Sequence, residues 1–111
     1  MSTPFRPDDL DEVVHGRVRL GVLAYLSTAG SADFLTLVDE LGVTKGNLST
    51  HLRKLEDAGY VRVRRGFAER KTRTVVHLSD AGRNAYARHL DQLGALFARA
   101  NAAEKISPKA I

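Results

Sequence analysis

The stretch TKGNLSTHLRKLEDAGYVRVRRG, Thr44 to Gly66, sets short polar side chains and cations around three leucines spaced four and three apart. With Leu48, Leu52 and Leu55 turned inward on a helix, Lys45, Gly46, Ser49, Thr50 and Arg53 fall on the outer side and Asn47 flanks them. Small groups at 46, 49 and 50 let the helix backbone approach another surface closely, and an α-helix fits the major groove of B-DNA. In that groove Arg53 can grip guanine O6 and N7 in bidentate fashion, and Asn47 can pair with adenine. Thr44 precedes the helix as its candidate N-cap and belongs to the same contact set. Glycine in a helix costs about 1 kcal/mol relative to alanine. Close approach to a partner accounts for Gly46, and an eased first turn is the plainer alternative. Beyond Gly59 come Arg64, Arg65, Arg70, Lys71 and Arg73, placed to neutralise phosphates or to enter a narrow minor groove. A charged hairpin that merely resists aggregation also explains the arginines, but it leaves the bare helix face unexplained.

The bulk numbers agree with that chemistry. A chain of 111 residues holds one domain with a real core, and 43% hydrophobic with 27% charged residues is globular composition. The net charge of +4 is unevenly spread. Residues 1–43 carry three Lys/Arg against seven Asp/Glu, residues 44–73 nine against three, and residues 74–111 five against three. Positive charge gathered in one segment, after an acidic first segment, is what a protein meeting a polyanion with one face requires.

Other chemistries find no support. The chain has no cysteine, which removes disulfides, thiolate metal sites and a cysteine nucleophile. His15, His51, His77 and His89 are scattered with no pair at a ligand spacing, so no metal and no other cofactor is expected. Asp8, Asp9, Asp11 and Glu12 read as helix-start charges rather than paired catalytic carboxylates. No Gly-x-Ser-x-Gly elbow and no glycine-rich phosphate loop after a strand is present, so no enzyme is expected. Phe67 is the one aromatic placed to touch a groove or ligand, too few for a single-strand stacking platform. No basic start leads into an apolar run and no stretch approaches the ~20 apolar residues of a membrane span, so a cytoplasmic protein without a membrane partner is expected.

The elements that must position these groups follow from periodicity. PDDLDEVVHGRVRLGVLAYLSTAG, residues 7–30, predicts a long first helix with an apolar stripe of Val18, Val22, Leu23 and Leu26, leaving Val13, Leu20, Ala24 and Tyr25 off it. SADFLTLVDELGV predicts a short helix capped by Asp33 and ended by Gly42, and Thr44 starts the next. Two helices joined through a glycine-containing turn form a helix-turn-helix. YVRVRR then alternates as a half-buried strand, GFAERKT reads as a turn, and RTVVHLS supplies a second strand with Thr74, Val76 and Leu78 on one face. Ser79 caps a last helix from about Asp80 past Phe97, whose Tyr86, Leu90, Leu93, Phe97 and Ala100 form a heptad seam. The expected fold is mainly α with a small β-hairpin (α+β), one domain over 1–105 and a frayed tail over 106–111. Val13, Leu20, Tyr25, Tyr86, Leu90, Leu93 and Phe97 are the expected dimer face.

In HGRVRLGVLAYL, DFLTLVDELGVTKGNLSTHLRKLEDAGYV, RTVVHLSDAGR and the glycine and phenylalanine of GFAERK, the chain resembles winged helix regulators related to the MarR and ArsR groups, particularly the short winged helix DNA-binding domain proteins. The match runs in register over about residues 15–83. The resemblance implies a homodimeric, DNA-binding transcriptional regulator. The second strand begins KTRT where the family often has a proline before the arginine, and the cysteine metal motif of the ArsR group is missing. The expected function is sequence-specific binding of double-stranded DNA at a near-palindromic operator, as a repressor. Two alternatives stay open: a ligand- or metal-responsive sensor with a pocket near Tyr25 and Tyr86 whose small-molecule effector is unknown, and a winged helix used as a protein-interaction module.

Overall fold

The computed structural model describes residues 11–106. The first helix, α1 (Glu12–His15), is capped by Asp11, whose carboxylate accepts from the backbone N–H groups of Val13 at 2.9 Å and Val14 at 3.2 Å. Gly16 is then extended (φ −62°, ψ 136°), and the chain restarts as α2 (Arg17–Ala29). The expected single helix is therefore two. The cause is Arg19, whose Nε donates to the Val13 carbonyl at 2.7 Å and whose Nη2 donates to the Glu12 carbonyl at 3.1 Å. In a continuous helix those carbonyls would accept from residues 16 and 17. The guanidinium lies over Gly16, where a Cβ would stand 2.6 Å from its Cζ. Asp8, Asp9 and the start of the expected helix lie outside the described residues.

Gly30, at φ +80°, ends α2 and turns the chain into β1 (Ser31–Asp33), a strand the periodicity does not announce. Asp33 caps α3 (Phe34–Leu41) by accepting from the Leu35 N–H at 3.0 Å, and Gly42 closes that helix in the left-handed conformation. Thr44 Oγ1 accepts from the Asn47 N–H at 3.0 Å to start α4 (Lys45–Asp57). The long hairpin follows as β2 (Val61–Ala68) and β3 (Lys71–Leu78), giving a three-stranded antiparallel sheet in the order β1-β3-β2. Its turn is only Glu69–Arg70; most of the stretch expected as turn is strand, because Gly66, Phe67 and Ala68 pair with Arg73, Thr72 and Lys71. Ser79 starts α5 (Asp80–Ile106), accepting from the Gly82 N–H at 3.0 Å while its hydroxyl donates to the Gly59 carbonyl at 2.6 Å. Residues 107–111 of the expected tail lie outside the described residues.

The core forms where these elements converge. Val22, Leu23 and Leu26 of α2 meet Leu37 of α3, Leu48, Leu52 and Leu55 of α4, and Val61 and Val76 of the sheet, all buried. Each such side chain removed from water contributes about 1.5–3 kcal/mol. The result is a mainly helical domain with α4 and the hairpin side by side, while α5 runs on beyond the body.

Candidate nucleic-acid interface

The inward leucines decide what α4 presents outward. Leu48, Leu52 and Leu55 are at most 4% exposed, and Thr44, Lys45, Gly46, Asn47, Ser49, Thr50 and Arg53 are all exposed. The Thr50 hydroxyl donates to the Gly46 carbonyl at 3.1 Å, which turns it along its own helix. A Cβ at Gly46 would meet nothing within 4 Å, so no neighbour within the fold requires glycine there.

Arg64, Arg65, Arg70, Lys71 and Arg73 are likewise exposed, but the pleat divides them. The cross-strand register puts Arg65 on the face of Val61 and Val63, toward the helices, and Arg64, Lys71 and Arg73 on the other. Arg65 and Arg53 line one cleft of about 320 Å³ between α4 and the hairpin, together with the carboxylate of Glu56 and with Phe34, Ser49, Leu52, Val63 and Thr74. The expected base reader and one expected phosphate cation are thus neighbours. At the tip Glu69 and Arg70 have φ of 53° and 64°. Left-handed backbone costs a residue with a side chain roughly 1–2 kcal/mol, so a glycine would hold this turn more cheaply. Arg73 Nε donates to Asp33 Oδ2 at 2.9 Å, which ties the hairpin to the start of α3. That pair is largely exposed and contributes about 0.2–1 kcal/mol.

Three polar links that no periodicity announces tie the start of the chain to the rest of the fold: Arg19 of α2 to His51 of α4, Asp11 before α1 to Tyr60 between α4 and β2, and His15 of α1 to His89 of α5. Arg19 Nη1 donates to His51 Nδ1 at 2.9 Å, so a neutral His51 carries its proton on Nε2. Burial, then the positive charges of Arg19 and Lys54, hold the His51 imidazole below its ordinary pKa. Tyr60 Oη donates to Asp11 Oδ2 at 2.6 Å. Burial raises the Asp11 pKa, but the Tyr60 hydroxyl and the two capping N–H groups outweigh it and the net shift is downward. The same hydrogen bond, with burial, raises the Tyr60 phenol.

Two of the histidines, distant in sequence, meet in the fold. His15 and His89, 74 positions apart, bring Nδ1 and Nε2 to 3.5 Å with ring centroids at 5.3 Å. His89 is fully buried, its Nδ1 has no hydrogen-bond partner among the described residues, and burial followed by the His15 charge lowers its pKa. The pair stays a pair: among the described residues no three His, Cys, Asp or Glu side chains gather as a metal site.

Of the residues expected at a dimer face, Val13, Leu20, Tyr25 and Tyr86 pack against the core of their own chain. Leu93 is half-buried, whereas Leu90 is 45% and Phe97 62% exposed on α5. Among the described residues no helix is long and apolar enough to cross a membrane.

Comparison with known proteins places this geometry. The family model for the winged helix DNA-binding domain matches residues 18–97. An uncharacterized protein of Methanocaldococcus jannaschii is 28% identical over 82 residues, 74% of this chain and 89% of that protein. The structure of a transcriptional regulator homologue protein from Pyrococcus horikoshii OT3 superposes with a TM-score of 0.75 at 34% identity, covering 78% of this chain and 86% of that one. A MarR-family protein from Enterococcus faecalis V583 superposes with a TM-score of 0.64 at 26% identity, covering 82% and 84%.

Proposed function

The chain belongs to the winged helix DNA-binding domain family, and on that premise we propose that it is a cytoplasmic transcriptional repressor that binds a specific double-stranded operator as a homodimer. One observation carries the reading: a recognition helix whose outer face is bare and polar stands beside a hairpin bearing exposed cations, with Arg53 and Arg65 on one cleft. In this reading the first turns of α4 lie in the major groove, where Asn47 and Arg53 meet base edges and Lys45, Ser49 and Thr50 meet the groove wall. Arg64, Arg65, Arg70 and Lys71 neutralise phosphates alongside.

The second copy would dock along α5, where Leu90 and Phe97 present apolar surface that the described residues leave uncovered. A two-fold pair of recognition helices addresses half-sites about 34 Å apart, which calls for a near-palindromic operator. The test is fluorescence anisotropy with duplexes tiled across the DNA flanking the gene, at about 50 and 200 mM salt. Tight binding of two chains to one duplex, weakening steeply with salt, is expected. Undiminished binding by a variant carrying both Arg53→Ala and Arg70→Ala would sink the proposal.

A further inference from the structure

Among the exposed large apolar side chains of the described residues, the most exposed is one to which the helix and the cations give no task. Phe67 is 74% exposed and sits on β2 two residues before the turn, opposite Thr72. Alternation along the strand puts it on the face of Val61, Val63 and Arg65. Val61 is buried and Val63 packs on the core, so this face looks toward the helices and continues past them as Arg65 and then Phe67. A ring there adds nothing to the core.

Its surroundings say what it meets. Arg65 shares its face, Arg70 stands in the adjoining turn, and Arg64 and Lys71 flank it on the opposite face; against the single acid Glu69 within four residues, this is a net positive setting for a polyanion. The turn beyond adds a second observation. Glu69 and Arg70 both hold left-handed backbone without glycine, so the tip keeps full side chains where a smaller residue would relax it.

Resting on the DNA reading above, we infer that Phe67 is an apolar wedge that enters the minor groove beside each half-site and partly unstacks one base step. Arg65 and Arg70 hold the flanking phosphates. Apolar wedges of this kind kink a duplex by about 20–90° toward the major groove. Pyrimidine–purine steps unstack most readily, so the ring reads deformability, and the operator carries a TA or CA/TG step under each wing. This is specificity without a hydrogen bond to a base, supplied by a part of the chain other than α4.

The experiment starts from duplexes of about 30 base pairs, long enough for two half-sites and their flanks, selected from a random-sequence pool by the full-length wild-type chain. The best duplex is end-labelled for energy transfer, and 2-aminopurine is placed at the pyrimidine–purine step. Wild type, Phe67→Ala and Phe67→Leu are compared, with circular dichroism confirming the fold of each. The alanine variant should bind about tenfold more weakly, within the range for loss of one ring–base stacking contact. It should also lose the bend and the 2-aminopurine brightening, and select a pool without the step, while leucine, still a wedge, keeps most of all three. An alanine variant that binds and bends as wild type does overturns the wedge and leaves the DNA reading standing. So does a straight wild-type complex with a dark 2-aminopurine. A wild-type chain that selects no duplex overturns the DNA reading itself, and the wedge with it.

Discussion

Replacing Arg19 by methionine tests how α4 is held in place. The guanidinium makes three hydrogen bonds: to the Val13 carbonyl at 2.7 Å, to the Glu12 carbonyl at 3.1 Å and to His51 at 2.9 Å. Methionine keeps the aliphatic length, so the loss is of bonds rather than volume. Two of the bonds are part-buried and the one to Glu12 is exposed, so at about 1 kcal/mol per part-buried bond and less for the exposed one the cost is roughly 2–3 kcal/mol. At about 4–8 °C per kcal/mol for a domain of this size, the melting temperature falls by about 8–24 °C. Lysine at the same position keeps the charge but not the planar fork, and loses most of the stability too. The two variants part at His51. Its pKa is lowered first by burial and then by Arg19, so Arg19→Met moves it up toward its ordinary value whereas Arg19→Lys leaves it low. Thermal unfolding by circular dichroism gives the first quantity and an NMR titration of His51 the second. A methionine variant melting within about 2 °C of wild type, with His51 titrating unchanged, would show that the junction does not depend on this arginine.

Acid should loosen the fold through the histidines. His51 and His89 have lowered pKa values, so the folded chain favours their neutral forms and the unfolded chain binds more protons. Their contribution is complete above the ordinary value of 6.5 and is lost as pH falls below it through the folded values. Melting temperature should therefore drop between about pH 7 and 5, a window above the range in which Asp11 titrates, and less steeply in His89→Met. Gly82→Ala places a Cβ against the Tyr60 backbone carbonyl, which cannot swing aside, and should cost roughly 1–3 kcal/mol in urea unfolding. On DNA, Arg70→Ala should weaken binding to all sequences alike and reduce the salt slope by about 0.9 per protomer. Arg53→Ala should instead relax discrimination at one base pair by about 1–3 kcal/mol, which a competition assay with single-base variants measures.

Much of the helix-turn-helix was legible because its boundaries are local. Asp33, Thr44 and Ser79 cap where a short polar side chain precedes an apolar stripe, and Gly42 and Gly59 end helices with positive φ. The leucine spacing of α4 fixed its inner face and, by subtraction, its outer one. β1 was not legible: three residues are too few to show alternation, and the strand exists because β3 offers it a partner at His77, Val76 and Val75. The hairpin turn was misjudged for a similar reason. GFAERKT has the composition of a turn, but cross-strand pairing carries both strands to within two residues of each other.

The candidate surface residues could be named in advance because their chemistry is itself the signal, whereas His51, Tyr60 and His89 carry meaning through partners 32 to 74 positions away, and Arg19 through His51 as well as the nearby Val13 and Glu12 carbonyls. The two glycines of the first apolar run show how far local reasoning reaches. Gly16 and Gly21 each carry the same intrinsic helix cost, yet the helix breaks at one and runs through the other. At Gly21 a Cβ would come within 3.0 Å of a Leu41 methyl, so the missing side chain lets α3 pack close and the helix gains from continuing. At Gly16 the guanidinium of Arg19 occupies the space and takes the carbonyls that would have continued the helix. The break then lets α1 fold back so that His15 reaches His89 while Asp11 reaches Tyr60. An alanine at position 16 should favour the uninterrupted helix and displace Arg19 from His51, so the geometry at α4 depends on a glycine between α1 and α2.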